Sequence, residues 1–483
     1  MNPLYKKTLI VGMGLLLVIV GFFPAISSQI INNSESSTGD NDTNIYDLLI
    51  IAPERFEKIL QSLVCHKNSY GVKTKLTTLS TVYEEIYWEG RDDAEKVKYY
   101  IKNAYDHWGI KYVLLVGGIK KQFSFHEQYW CPVRYVHVVD RWGGIYELGG
   151  YYEHQFISDL YFADIYDSEG NFSTWDNDGD GIYGEWNNNE SAEDIMDLYP
   201  DVCVGRLPSR NVWQVRTVVK KIIDYESKDH TDSDWFKTMV VVAGDTYPGD
   251  DDFEGEVVTQ LALDKMPDFT HVKLWTSLGT FTGLKDVIDA FNNGCGFLLF
   301  KGHGSPSVWA THPPNDHTSI YGFKQNSYFF IRNREKLPIC IVGGCHNSQF
   351  NTTLLHYPWN GLPLIDCMSS RLLHKRNGGT IATFGNTALG YGPDDYLDPN
   401  KGEGDDRLSP YFFEEIGING NDILGECWAY AISSNLDYYP IYWDEPSYND
   451  TSINVKSACE WLLMGDPSLK IGGYSQNEAI LNR

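Results

Sequence analysis

The sequence predicts an α/β protein: a parallel sheet with helices, arranged in two α/β subdomains. Short continuous apolar runs bounded by Gly and Pro recur along the chain, the pattern of strands buried on both faces. They alternate with segments whose apolar residues return every three or four positions, and strand–helix–strand order favours right-handed parallel crossovers. With 483 residues, 42% apolar and 14% aromatic, the chain holds enough core-forming side chains for more than one such unit.

Residues 1–27 stand apart from this fold. Lys6 and Lys7 precede an apolar run from Leu9 to Ala25, and Ala25-x-Ser27 completes the pattern of a secretory signal peptide. The run is also long enough to serve as an uncleaved N-terminal membrane anchor. Either reading places the rest of the chain outside the cytoplasm, secreted or attached to the cell surface. Residues 28–45, rich in Ser, Asn, Thr and Asp, read as a flexible linker.

The first subdomain, residues 46–230, opens with a buried strand over Tyr46–Pro53. A helix follows, with Phe56, Ile59, Leu60 and Leu63 on one face, ending before Gly71. Strand Val72–Leu79, helix Asp92–Trp108 stopped by Gly109, and strand Tyr112–Gly118 complete the first cycle. A helix over Val212–Ser227 leads to a polar stretch, Ser227–Ser233, where the boundary is placed. The second subdomain, residues 231–473, begins with strand Thr238–Gly244, helix Gly255–Met266, strand Val272–Thr276 and helix Leu284–Asn293. Two apolar runs follow, Cys295–Gly304 and Leu337–Asn347, then a helix over Leu364–Lys375 and a strand over Gly378–Gly385. Helical patterns at Leu408–Ile416, Ile423–Leu436 and Val455–Leu463 close the subdomain, leaving residues 474–483 as a tail.

Acidic residues outnumber basic ones 65 to 39, a formal charge of −26. That excludes a nucleic-acid partner, whose phosphates need a basic surface, and favours cations or basic ligands. The nine cysteines are scattered without CxxC pairs, which argues against a zinc ribbon. An odd number in an exported chain leaves at least one thiol unpaired or joined to another chain. Between the two cycles lies Asp176-Asn-Asp-Gly-Asp-Gly-Ile-Tyr-Gly-Glu185. Asp176, Asp178 and Asp180 at alternate positions, followed by Gly181 and the carbonyl of Ile182, match the first half of an oxygen-lined calcium loop. Glu185 falls two residues short of the bidentate Glu of an EF-hand, so a structural Ca2+ site of another kind is expected, and no organic cofactor.

The two apolar runs carry the chemistry. The first delivers His303 between Gly302 and Gly304, and the second delivers Cys345 after Gly343 and Gly344. Ligands bind at the carboxyl ends of strands in parallel sheets, and the 42-residue separation (345 − 303) fits adjacent parallel strands joined by a crossover. A thiol with a histidine in reach becomes a nucleophile, and the imidazole then protonates the leaving amine. Glycines leave room for a scissile peptide, and the N–H groups of Gly304 and Cys345 are the natural oxyanion donors. Trp309 is a candidate wall for the substrate cleft.

These features resemble the caspase-like cysteine peptidases and, within them, the gingipain family. The marks are Lys301-Gly-His-Gly-Ser305 with Trp309 beyond it, Gly-Gly-Cys345, and Asp201-Val-Cys-Val-Gly-Arg-Leu-Pro208. The acidic loop Asp245–Glu256 and the closing Gly465-Asp-Pro-Ser-Leu469 also match, and the resemblance spans Tyr46 to Gly473. It implies a caspase-like sandwich fold and an endopeptidase acting on proteins or peptides, with Cys345 as nucleophile and His303 as general acid/base. It further implies that Asp245 orients His303 and that an acid of the same loop, Glu254 or Glu256, receives a basic P1 side chain. The acidic loop Asp394–Asp406 offers the same options. A zinc centre drawing on His312, His317 and His346 is the rival enzyme reading. A calcium-stabilised surface binding protein that keeps the fold without activity is the alternative from another class.

Overall fold

Leu48–Ala52 is a run of residues all buried on both sides, and it forms the first strand, β1. The computed structural model describes residues 45–124, 126–139, 153, 155–186, 190–249, 253–355, 364–392, 404–447 and 450–475. The expected leader, most of the linker, and parts of both acidic loops (250–252 and 394–403) lie outside the described residues. No helix among the described residues is long and apolar enough to cross a membrane.

After β1 come α1 (Glu54–Ser69), β2 (Thr74–Thr78), α2 (Leu79–Glu85), α3 (Asp93–Trp108) and β3 (Tyr112–Val116). The Asp92 side chain caps α3 by accepting the Glu95 N–H, and Gly109 ends the helix at φ 70°, a conformation that favours glycine. The short strands β4 (Tyr135–Val136) and β5 (Phe156–Ile157) pair with each other, and β6 (Cys203–Leu207) joins β3. The second half runs α4 (Val212–Glu226), β7 (Thr238–Ala243), α5 (Glu254–Asp264), β8 (Thr270–Trp275), α6 (Leu284–Asn293) and β9 (Phe297–Lys301). A three-stranded antiparallel sheet follows: β10 (His303–Ser305), β11 (Val308–Thr311) and β12 (Ile320–Phe323). Then come β13 (Ile339–Gly343), α7 (Met368–Leu373), β14 (Ala382–Asn386), α8 (Leu408–Gly417), α9 (Leu424–Tyr438), α10 (Asp450–Glu460) and β15 (Trp461–Met464).

The main sheet has ten strands in the order β2-β1-β3-β6-β15-β14-β13-β9-β7-β8. Every neighbouring pair is parallel except β14 with β15, so the first five strands run one way and the last five the other. The boundary placed near residue 230 is therefore a junction within one compact unit, crossed by a single sheet. The last segment departs from expectation. The helix over Val455–Leu463 stops at Glu460, and Trp461-Leu-Leu-Met464 becomes a buried strand between β6 and β14. A four-residue apolar run carries no periodicity of its own, and the open sheet edges on either side decide it.

Strand alternation divides the core between two faces. Met239, Val241, Phe297, Leu299, Ile339 and Ile341 join one cluster, while Val240, Val242, Leu298, Phe300, Cys340 and Val342 join the other. The first half is fastened by buried ion pairs. Arg206 of β6 is fully buried and grips Asp159 through both forks, Nε to Oδ2 at 2.6 Å and Nη2 to Oδ1 at 2.8 Å. Removing one partner strands the other charge inside. Arg206→Met should therefore cost ~3–5 kcal/mol in chemical denaturation, and adding Asp159→Leu should restore most of the loss.

Candidate active site

The site starts from one register. Lys301, the last residue of β9, pairs with Gly343, the last residue of β13, so the two strands deliver His303 and Cys345 side by side. Past Lys301 the chain leaves the main sheet: Gly302 donates to the Gly343 carbonyl at 3.2 Å, and His303 begins the hairpin β10–β11. The Asn347 side chain latches that hairpin to the cysteine segment, its Nδ2 donating to the carbonyls of Ser305 (2.5 Å) and Val308 (3.2 Å). His346, buried and at φ 59°, turns the chain sharply just after Cys345, a left-handed conformation uncommon outside glycine.

The glycines are there for contact. A Cβ added to Gly304 would lie 2.3 Å from Asn347 Oδ1 and 2.7 Å from Cys345 N, and one on Gly344 would lie 3.0 Å from Gly304 N. The backbones carrying the two expected oxyanion donors, Gly304 and Cys345, are thus packed directly together. His303 and Cys345 share a small cleft with Tyr247, Glu254, Asp405 and Asp406.

The ring of His303 is fixed by backbone. Its Nε2 lies 2.7 Å from the carbonyl of Thr246. A carbonyl only accepts, so Nε2 carries the hydrogen and Nδ1 keeps the lone pair. Burial lowers the His303 pKa, the Thr246 carbonyl opposes that, and His312, 5.4 Å away between ring centroids, lowers it further. The half-buried Cys345 thiol donates to the Gly390 carbonyl at 3.6 Å and is pushed up to about 12, first by burial. Glu460, Asp405 and Glu153 add to that rise. The resting pair is neutral thiol and neutral imidazole.

The remaining expected residues divide. Asp245 was expected to orient His303, but its neighbour's carbonyl occupies Nε2. Asp245 bridges to His312 as an extension of β7, and its Oδ2 accepts the Asn315 N–H at 2.7 Å. Glu254 lines the cleft, whereas the Glu256 carboxylate is taken up by the loop after β8: Oε1 accepts the Ser277 N–H at 3.0 Å, and Oε2 accepts the Ser277 hydroxyl. Trp309 is fully buried, donates Nε1 to the Gly343 carbonyl at 3.0 Å and packs on Phe281 and Phe300; it props the dyad strands from within the core instead of lining the cleft of His303 and Cys345. Among the described residues, the histidines of the zinc reading are not brought into a group of three or more metal-ligating side chains. His312 and His317 lie 6.5 Å apart by ring centroid, and His346 faces Glu153 with Nε2 3.7 Å from Oε1.

In the loop expected to hold calcium, the carboxylates brought within 4.8 Å of one another are those of Asp176, Asp178 and Asp194. Asp180 is turned into a local cap, its Oδ1 accepting the Ile182 N–H at 2.7 Å, and Glu185 meets the cluster through its backbone N–H, 2.9 Å from Asp194 Oδ2. All-oxygen donors suit a hard cation. Asp176 would share any such ion with Arg91, whose Nη1 lies 2.5 Å from its Oδ2. Residues missed by the sequence reading include Thr246, which acts through its backbone, and Lys301, whose buried Nζ binds Asp406 Oδ1 at 2.9 Å and Asp405 Oδ1 at 3.4 Å.

The comparisons with known proteins agree with this architecture. The family model for peptidase family C25 matches residues 41–472, and the chain belongs to that family. Gingipain R2 of Porphyromonas gingivalis is 20% identical over 432 residues, which cover 88% of this chain and 46% of that protein. Gingipain R1 of Porphyromonas gingivalis is likewise 20% identical over 88% of this chain, there covering 34% of the relative. The chain thus spans less than half the length of these relatives. Its fold is similar to the crystal structure of the Arg-specific cysteine proteinase gingipain R, with TM-score 0.59 at 18% identity over 90% of this chain and 80% of that one. The complex of RgpB pro- and mature domains gives TM-score 0.58 at 18% identity, covering 88% and 79%. The α/β fold with a large, mainly parallel sheet is the caspase-like fold of these structures.

Two outcomes follow. Gly304→Ala forces a methyl into the Cys345 backbone and the Asn347 amide, so the rate at which iodoacetamide alkylates Cys345 should change while circular dichroism still reports a folded protein. Because the thiol pKa lies far above neutrality, iodoacetamide should alkylate Cys345 slowly at pH 7 and ever faster as pH rises towards 10. A rate plateau between pH 5 and 8 would instead reveal a preformed thiolate–imidazolium pair.

Proposed function

We propose that this chain is an exported cysteine endopeptidase, secreted or held at the cell surface, that cleaves peptide bonds, with a preference for basic residues on the acyl side. The observation that carries the reading is the strand register setting His303 and Cys345 in one glycine-walled cleft. As Cys345 Sγ bonds to the scissile carbonyl carbon, its proton passes to Nδ1 of His303, and the N–H groups of Gly304 and Cys345 receive the oxyanion. The imidazolium then gives that proton to the amide nitrogen, the C–N bond breaks, and a thioester remains. Water, deprotonated by His303, hydrolyses the thioester and frees the thiol. The preference for basic side chains is supported by two acids of the cleft, Asp405 and Asp406. Export rests on the N-terminal signal or anchor pattern of residues 1–27.

One observation favours the alternative of an inactive fold acting as a binding protein: the thiol is held protonated, in acidic surroundings that disfavour the thiolate. A peptide library scanned at P1 separates the two. The peptidase reading requires cleavage after Arg or Lys, abolished in Cys345→Ala and reduced ~10²–10⁴-fold in His303→Ala. No cleavage of any member, with Cys345 behaving as an ordinary buried thiol, would sink it.

Calcium is proposed as a structural ion held by Asp176, Asp178 and Asp194, on the support of their convergence. Chelation should then lower the Tm by several degrees and added calcium restore it, whereas Asp178→Asn should show neither response.

A further inference from the structure

Glu254 does more than line the cleft. Its Oε2 accepts the N–H of Thr246 at 2.7 Å and of Tyr247 at 3.2 Å. The Tyr247 N–H and the Thr246 C=O belong to the same peptide unit. That unit is trans, so its N–H and C=O point in opposite directions. Glu254 therefore grips one side of the peptide whose other side meets His303 Nε2 at 2.7 Å. The chain of contacts runs carboxylate, peptide, imidazole.

Helix α5 builds this arrangement. Glu254 is its first residue and 2% exposed, where a helix N-terminus favours negative charge. Gly255 lets the helix start abut the strand ends: a Cβ there would lie 2.7 Å from the Lys301 carbonyl and 2.9 Å from the Gly244 carbonyl. The carboxylate is thus set against the chain that leaves β7, as the bridge from Asp245 to His312 turns that chain towards the histidine. Charge on one side of a peptide also polarises the carbonyl on the other, which strengthens its bond to an imidazole N–H.

We propose that Glu254 is the positioning residue for His303, holding the Thr246–Tyr247 peptide so that its carbonyl fixes Nε2–H and leaves Nδ1 as the base. The role expected of Asp245, a carboxylate behind the histidine, is thereby filled at one remove. The inference builds on the proposed peptidase reading, but its first readout does not depend on turnover.

The test is 15N NMR of imidazole-labelled protein, with the His303 signal assigned by its loss in His303→Ala, beside steady-state kinetics on substrates with Arg, Lys and Ala at P1. The groups facing the ring are His312 from the end of β11, Tyr247 from the loop after β7, and Cys345 after β13, and none of them is substituted in the variants. In the wild type the Nε2–H tautomer should dominate. In Glu254→Ala both tautomers should appear, the His303 pKa should fall, and kcat should drop at least tenfold for every P1, with KM within twofold. Glu254→Gln keeps the accepting oxygen without the charge, so it should retain the tautomer, lower the pKa and recover part of kcat. A Glu254→Ala protein that folds with unaltered His303 tautomer and pKa overturns the proposal. So does a KM increase confined to Arg and Lys substrates with the His303 signals unmoved, which would make Glu254 a P1 receptor. Should Glu254→Ala fail to fold, an unchanged His303 pKa in Glu254→Gln is decisive in the same sense. If the wild type cleaves nothing yet the His303 signals shift as described, the positioning role stands and the peptidase reading falls.

Discussion

The pairing of Lys301 with Gly343 is the constraint on which the rest of the site depends. Two residues past the end of each strand stand His303 and Cys345, so a slip in this register would displace one partner along the sheet edge relative to the other. The register is secured from both faces. Phe300, Val342 and Trp309 pack on one side, with the Trp309 indole bonded to the Gly343 carbonyl, and Phe297, Leu299, Ile339 and Ile341 pack on the other. Beyond the register, only backbone separates the two segments. The absence of side chains at Gly302, Gly304, Gly343 and Gly344 lets the hairpin of His303 lie on the turn of Cys345, with the Asn347 amide holding it there.

Charge around the nucleophile runs against the chemistry in the resting state. Glu153, Asp405 and Glu460 all raise the Cys345 thiol, and the cations among them are already engaged, Lys456 by Glu153 at 2.6 Å and Lys301 by Asp405 and Asp406. In the proposed reaction this has a use. A neutral thiol and neutral imidazole leave the dyad itself uncharged, and a cationic substrate side chain in the cleft beside Asp405 and Asp406 would offset part of the field that opposes the thiolate. On the proposed reading, activation would wait on the substrate.

The strands and helices of the sheet could be read directly, because buried runs such as Leu48–Ala52 and Phe297–Lys301 carry their own signal. The neighbourhood of His303 and Cys345 could be read too, since glycines flank both in sequence. Other features are set by distance in the fold. Asp194 joins Asp176 and Asp178 from a different segment, so the local spacing pointed to Asp180 and Glu185 instead. Trp309 sits beside the histidine in sequence, which marked it for the cleft, yet the hairpin folds it inward. The Thr246 carbonyl has no side-chain signature at all, and the eye is drawn to the adjacent Asp245. Trp461–Met464 illustrates the same point for the fold: four apolar residues become a strand because β6 and β14 leave a gap that they fill.

That gap explains how two oppositely directed half-sheets make one unit. The halves meet where β15 lies antiparallel to β14, and β15 also touches β6 through Met464 and Arg206. The residues just after it fasten the junction. Asp466 accepts the N–H and hydroxyl of Ser468 and pairs with Lys67 at 2.9 Å, while Lys67, fully buried in α1, also binds Glu226 of α4 at 2.7 Å. The closing Gly465-Asp-Pro-Ser-Leu469 is therefore a structural clasp. A Cβ on Gly205 of β6 would lie 2.5 Å from the Gly465 carbonyl, so the strand and the clasp are packed without space between them. Loosening the clasp would release β15, and with it the support under β14, which is the neighbour of the strand that carries Cys345. The first half of the sheet contributes no dyad residue, but it holds the edge against which the dyad strands are stacked.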